Sequence, residues 1–168
     1  MVLVDDPASE DGNDSIVASG YTDVAGGNRG GLLVKVRSDG NTLANDFGMD
    51  NGATIVPLPG ANLSFDSIAR QSGDGFVVGG TRPGTDALDI VVQRFTRFGT
   101  ADVQFGNGGG VFVDFGFPPQ LDLLAAVHVS GDAIYVSGHS LRGGGNSDYT
   151  VAKLGLDRIF KDDFEVFD

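Results

Sequence analysis

Short apolar runs recur along this chain, each closed by glycine, asparagine, aspartate or serine, and they alternate or run solid where a helix would repeat about every 3.6 residues. Eleven of them read as strands: Met1–Asp5, Ser15–Tyr21, Leu32–Val36, Thr54–Leu58, Ser67–Gln71, Phe76–Thr81, Leu88–Phe95, Gly110–Phe115, Ala125–Val129, Ala133–Gly138 and Tyr149–Leu154. Ile90–Val92 is apolar without interruption, as expected of a sheet covered on both faces. Pro57 has no backbone donor, which predicts that Thr54–Leu58 lies at a sheet edge. Only Phe160, Phe164 and Phe167 carry a helical spacing, enough for a short terminal turn.

The pattern repeats. A cation near the end of a strand falls at Lys35, Arg94 and Lys153, with both spacings 59 residues. The aromatic after it falls at Phe47, Phe105 and Phe164, spaced 58 and 59. Gly20, Gly80 and Gly138 are spaced 60 and 58, and Asp14, Asp74 and Asp132 each lie six residues before that glycine. So small a drift marks one supersecondary unit copied three times, each copy relying on its neighbours to cover its faces. A period near sixty residues holding four short strands suits a propeller blade.

Three stretches, QSGDGFVVGGT, IVVQRFTRFGTADVQFGNGGGVFVDF and VRSDGNTLANDFGMDNGATIVPL, resemble the delta-60 repeat proteins of bacteria. The shared features are an Asp-Gly turn, a strand ending in small residues, a second strand, then Phe-Gly and a Gly-rich turn into another strand. The resemblance implies tandem β-propeller blades in a large exported protein, placed outside the cell or in the periplasm. It also supplies the strand order within a blade. Because the shared motifs are turns and strands, it carries over no catalytic or ligand-binding residue.

Charge and composition narrow the partners. With 11 basic and 23 acidic residues the net charge is −12, which argues against nucleic acid and against anionic membrane surfaces. The 27 glycines fit many tight turns. The chain has no cysteine, so disulfides and thiolate chemistry are excluded. MVLVDDPASE has neither the basic start nor the apolar run of a signal peptide, and no stretch approaches the roughly 18–20 apolar residues of a membrane-spanning helix.

Candidate chemistry is sparse. Gly138-His139-Ser140-Leu141-Arg142-Gly143 follows a strand and looks like the nucleophile elbow of α/β-hydrolases. Arg142 stands where that motif needs glycine, however, and GGGNSD follows where it needs a helix. The corresponding GYTD and GTRP make it the repeat's own turn, so Ser140 is expected to be oriented by no histidine or carboxylate. His128 and His139 are the only histidines and lack metal-ligand spacing. The acidic and amide residues of Ser38–Asn41 and Asn45–Asn51 suit calcium in their chemistry but in no known loop spacing, and turn formation explains them equally. Gly108–Gly110 and Gly143–Gly145 lack the context and lysine of a phosphate loop.

The expected fold is all-β: consecutive four-stranded antiparallel β-propeller blades in an open, incomplete propeller, two full and one partial, with units at 1–58, 59–115 and 116–168. The expected role is structural or binding, without a cofactor. One rim would carry recognition of a protein or carbohydrate through Asp23, Arg29, Arg82, Asp86, His139, Arg142 and Asp148. Two alternatives stand beside it, a hydrolase or lyase completed by further blades and a calcium-stabilised adhesin segment. Asp14, Asp74 and Asp132 are expected to pair with Lys35, Arg94 and Lys153 across each hairpin. Two open flanks, marked by Leu33 and Val34 and by Val151 and Leu154, would be covered by further blades or by self-association.

Overall fold

A computed structural model of the chain describes residues 1–4, 14–37, 39–40, 43–73, 75–83, 88–115, 121–142 and 145–155. They form eleven strands: β1 (Val2–Val4), β2 (Ser15–Asp23), β3 (Arg29–Val36), β4 (Ala53–Val56), β5 (Ser64–Arg70), β6 (Phe76–Pro83), β7 (Leu88–Phe95), β8 (Gly110–Val113), β9 (Leu121–Ser130), β10 (Ala133–Arg142) and β11 (Asn146–Gly155). There is no helix among the described residues, and the possible turn at Phe160–Phe167 lies outside them.

The strands follow one another as antiparallel meanders. β1–β4 make a four-stranded sheet with β4 at its edge, the position Pro57 predicts just beyond the strand. β5–β8 and β9–β11 repeat the meander, but they do not stay separate. A parallel pair, Leu88 with Leu121, joins β7 to β9 and merges them into one larger mixed sheet. This departs from the expected purely antiparallel four-stranded sheets. Its cause is the length of β9, which starts at Leu121, four residues before the predicted strand, and so reaches back to the start of β7. The first two meanders meet the same way without a formal pair: Leu63 N donates to Arg29 O at 2.9 Å, and Arg29 N donates to Asn62 Oδ1 at 2.9 Å. No barrel closes among the described strands.

Two apolar clusters lie between consecutive meanders. Val17, Leu33 and Phe47 of the first pack against Phe65, Phe76, Val78, Val91 and Phe95 of the second. Phe47 meets Phe76 edge-on at 6.1 Å between ring centroids, a favoured geometry for aromatic pairs. Val77, Ile90, Val92, Phe105 and Val113 of the second pack in turn against Val127, Ile134 and Val136 of the third. The middle sheet is therefore buried on both faces. This explains the solid Ile90–Val92 run, because Val91 enters one cluster while Ile90 and Val92 enter the other. Leu33, expected on an open flank, is fully buried in the first cluster, since it shares the face of Val17. Leu154, also expected there, packs against the second cluster.

The loop after the third strand is built twice on the same backbone bonds. Lys35 N donates to Gly52 O and Arg94 N to Gly109 O, both at 2.9 Å, while Phe47 N and Phe105 N donate to Ala44 O and Asp102 O. Within it the repeat cation finds its acid. Lys35 Nζ lies 3.3 Å from Asp46 Oδ2, and Arg94 Nε lies 2.9 Å from Asp102 Oδ2. The guanidinium of Arg94 also sits 5.0 Å from the centre of the Phe105 ring. The expected pairing with the strand-opening aspartates is thus corrected: neither Asp14 nor Asp132 makes an ion pair with its cation, and Asp74 lies outside the described residues. The cation is held by the loop that follows its own strand, because that loop folds back over the strand end.

The two pairs differ in shielding, with Asp102 30% and Asp46 54% exposed at the side chain. Replacing Asp102 by alanine is expected to lower unfolding free energy by about 1–2 kcal/mol, and Asp46→Ala by less than about 0.5 kcal/mol. Urea unfolding of the two variants decides this, and equal losses would show that shielding does not set the strength of the pair.

Candidate functional site

The β2–β3, β6–β7 and β10–β11 connections follow equivalent strands and so fall at one end of the meanders, and they differ in sequence. In the first, Val24 N donates to Asn28 O at 2.9 Å, and Gly26 and Gly27 take positive φ (92° and 80°), a conformation costly for other residues. Asp23 and Arg29 stand opposite each other at the base of this turn. The Arg29 guanidinium lies 4.3 Å from the centre of the half-exposed Tyr21 ring.

In the second connection, Arg82 lies 4.0 Å from the centre of the Phe112 ring, which is also half exposed, and its Nε donates to Pro83 O at 3.0 Å. Asp89 sits opposite Arg82 in the ladder. Asp86 lies outside the described residues. In the third connection, His139 faces Tyr149 across the ladder and Asp148 faces Ser140, while Arg142 closes β10 opposite Asn146. The structure brings Asp23 together with Arg29, and it gives Arg29 and Arg82 each an aromatic partner that the sequence pattern had not singled out. Each of the two stacks lies within its own meander.

Register puts the two arginine–aromatic stacks on facing sides of one packing. Tyr21 lies four residues after Val17, on the face that meets the second meander. Phe112 pairs with Val91, on the face that meets the first. Each stack combines a flat apolar ring with a fixed positive charge, an arrangement able to hold a polar planar or ring-shaped group.

Ser140 is not where the sequence placed it. Its side chain is buried, and its Oγ donates to Asp122 Oδ1 at 2.6 Å. The other oxygen, Asp122 Oδ2, accepts from Phe115 N at 3.0 Å. A carboxylate does orient this hydroxyl, contrary to expectation. Asp122 was missed because it stands on β9, eighteen residues before Ser140, at a position filled by the buried Leu63 in the second meander. The geometry restrains the serine and does not activate it. Both residues are only 2% exposed, and the adjacent His139 projects to the other face of the sheet. His128 is exposed on β9.

Among the described residues no three His, Cys, Asp or Glu side chains gather as a metal would require. No helix among them is long and apolar enough to cross a membrane. Comparison with known proteins adds no relative: no family model, no curated protein and no solved structure matches the chain.

Proposed function

We propose that this chain is a run of β-propeller blades of the delta-60 repeat kind, two complete and a third partial, acting as a non-catalytic binding scaffold in an exported bacterial protein. The blade assignment is supported by the recurrence of a single packing. The first strand of each following meander, β5 and then β9, lies against the strands of the meander before it, and each contact buries equivalent positions. Ser67 Oγ even accepts a hydrogen bond from Val127 N, sixty residues on and one unit away. A scaffold that repeats while its end connections differ leaves those connections free to specialise.

The observation that carries the binding role is the pair of exposed arginine–aromatic stacks, Arg29 on Tyr21 and Arg82 on Phe112. The ligand class they suit is a carbohydrate or a polar protein segment, docked on the ring faces and held by guanidinium hydrogen bonds. A glycan array followed by calorimetric titration of the best oligosaccharide tests this on the intact chain. Arg29→Ala and Arg82→Ala should each weaken binding about tenfold, the worth of one such contact at about 1.4 kcal/mol. Binding indifferent to both substitutions would move the site elsewhere. Turnover of a glycan or of a small activated ester by the pure chain would replace the scaffold with an enzyme.

A further inference from the structure

The two internal packings obey one rule of faces, and the first and third meanders each have one of those faces that no described strand covers. At each packing the leading face of a meander, holding Phe76, Val78 and Val91 in the second and Ile134 and Val136 in the third, is covered by the trailing face of the meander before it. Register assigns the leading face of the first meander to Leu3, Ile16, Ala18, Leu32, Val34 and Val36. Every other residue that register adds to it is Gly, Ala, Ile or Thr, so four strands present no charge in a chain whose net charge is −12. Of the described strands outside the first sheet, β5 is the one that packs on it substantially, and it lies on the opposite face.

The trailing face of the third meander is likewise covered by no described strand and is differently built. Tyr135 pairs with Lys153, Ser137 with Val151 and His139 with Tyr149. Tyr149 is 96% and Val151 49% exposed, whereas their counterparts in the second meander, Ile90 and Val92, are fully buried. Exposed tyrosine beside apolar and basic groups is the composition of a protein–protein contact.

We propose that a second copy of this chain docks head to tail, the leading face of the first meander of each copy seated on the trailing face of the third meander of the other. This rests on the propeller assignment above, because two copies then close a ring of six units, within the usual four to eight blades. Area favours closure over an open chain. A face of three strands, the number described in the third meander, about 4.8 Å apart and about seven residues long covers roughly 300 Å². One such contact buries roughly 600 Å² in total, below the roughly 1,000 Å² a specific interface needs, whereas the two contacts of a closed pair exceed it.

Sedimentation of the whole chain should therefore give a two-chain particle. Tyr149→Asp should dissociate it to monomers without lowering the melting temperature of the dilute chain, since the side chain is almost fully exposed. Leu3→Asp, at a residue 61% exposed, should do the same from the other face. Since the chain has no cysteine, Val34→Cys and Val151→Cys copies can be mixed and treated with a bis-maleimide about 10 Å long, a reach comparable to the spacing of packed sheets. The expected product joins one copy of each variant. A Val34→Cys homodimer would overturn the head-to-tail arrangement in favour of a symmetric contact. A monomer at about 100 μM, well above the micromolar Kd expected of a specific interface, would overturn docking and leave the blade assignment standing. A ladder of longer products from a copy carrying both cysteines would keep the docking and overturn the six-unit ring.

Discussion

Gly80→Ala is expected to cost about 3 kcal/mol, the upper part of the range for forcing extra volume into a packed structure. For a chain of this size that corresponds to a fall of about 6–12 °C in melting temperature. The reason is a bulge. On β5 the register slips between Phe65 and Ser67, leaving Asp66 over, and this pushes the Ser64 carbonyl onto the α-carbon of Gly80. A methyl group there would collide with that backbone oxygen, which cannot swing aside as a side chain could. β9 repeats the device: the register slips opposite Ser137 and Gly138, and the Leu123 carbonyl takes the same place over Gly138. Gly138→Ala should therefore cost about as much, in the same overpacking range. Gly20, the third member of the set, has open space where its Cβ would stand, because β1 pairs only with Ser15–Val17. Gly20→Ala should change stability by no more than about 0.5 kcal/mol. Thermal melts of the three variants are the check. Equal losses at all three positions would mean that the glycines serve backbone conformation in general and not clearance beneath a bulge.

The same three glycines show how far the sequence could be read. Their spacing located the repeat, and the apolar runs beside them located all eleven strands, because period-two burial leaves a direct trace in residue type. Even the double-sided burial of β7 was legible in Ile90–Val92. What glycine answers to was not legible, since the bulge lies on a partner strand that is itself unremarkable in composition. The partner of the repeat cation was misplaced for a related reason. Counting along a hairpin put Asp14 near Lys35, but the fold of the following loop, set by the backbone bonds around Phe47 and Phe105, brings in Asp46 and Asp102. Those two acids hold different places relative to the aromatic, one residue before Phe47 and three before Phe105, so alignment by period hides them. The arginine–aromatic stacks escaped notice because each joins residues that no motif spacing relates.

Asp122 was the least legible residue and carries the second large effect. Its two carboxylate oxygens are committed to different elements, one to the Ser140 hydroxyl on β10 and one to the Phe115 backbone just beyond β8, so it ties the end of one meander to the next. Asp122→Ala removes both carboxylate acceptors inside a site only 2% exposed, taking one from Ser140 and one from the Phe115 backbone. The expected loss is about 3 kcal/mol, since hydrogen bonds to a charged group contribute about 1.5–3 kcal/mol and buried groups left unpaired add to that. Ser140→Ala should cost about 1.5–2 kcal/mol, because it leaves one oxygen of a buried carboxylate without its short 2.6 Å donor. It should not be neutral, as a simple surface turn would have it. The two losses should not add. Once Asp122 is gone the Ser140 hydroxyl has lost that acceptor, so its removal costs less, and the double variant should fall short of the sum by at least about 1 kcal/mol. Asp122→Leu imitates Leu63 of the second meander and fills the volume, yet it still leaves Phe115 N without its acceptor, so it should recover only part of the loss. A double-mutant cycle by denaturant unfolding measures all of this. Strict additivity would mean that the 2.6 Å contact contributes nothing to stability, and that the burial of Asp122 is carried by Phe115 alone.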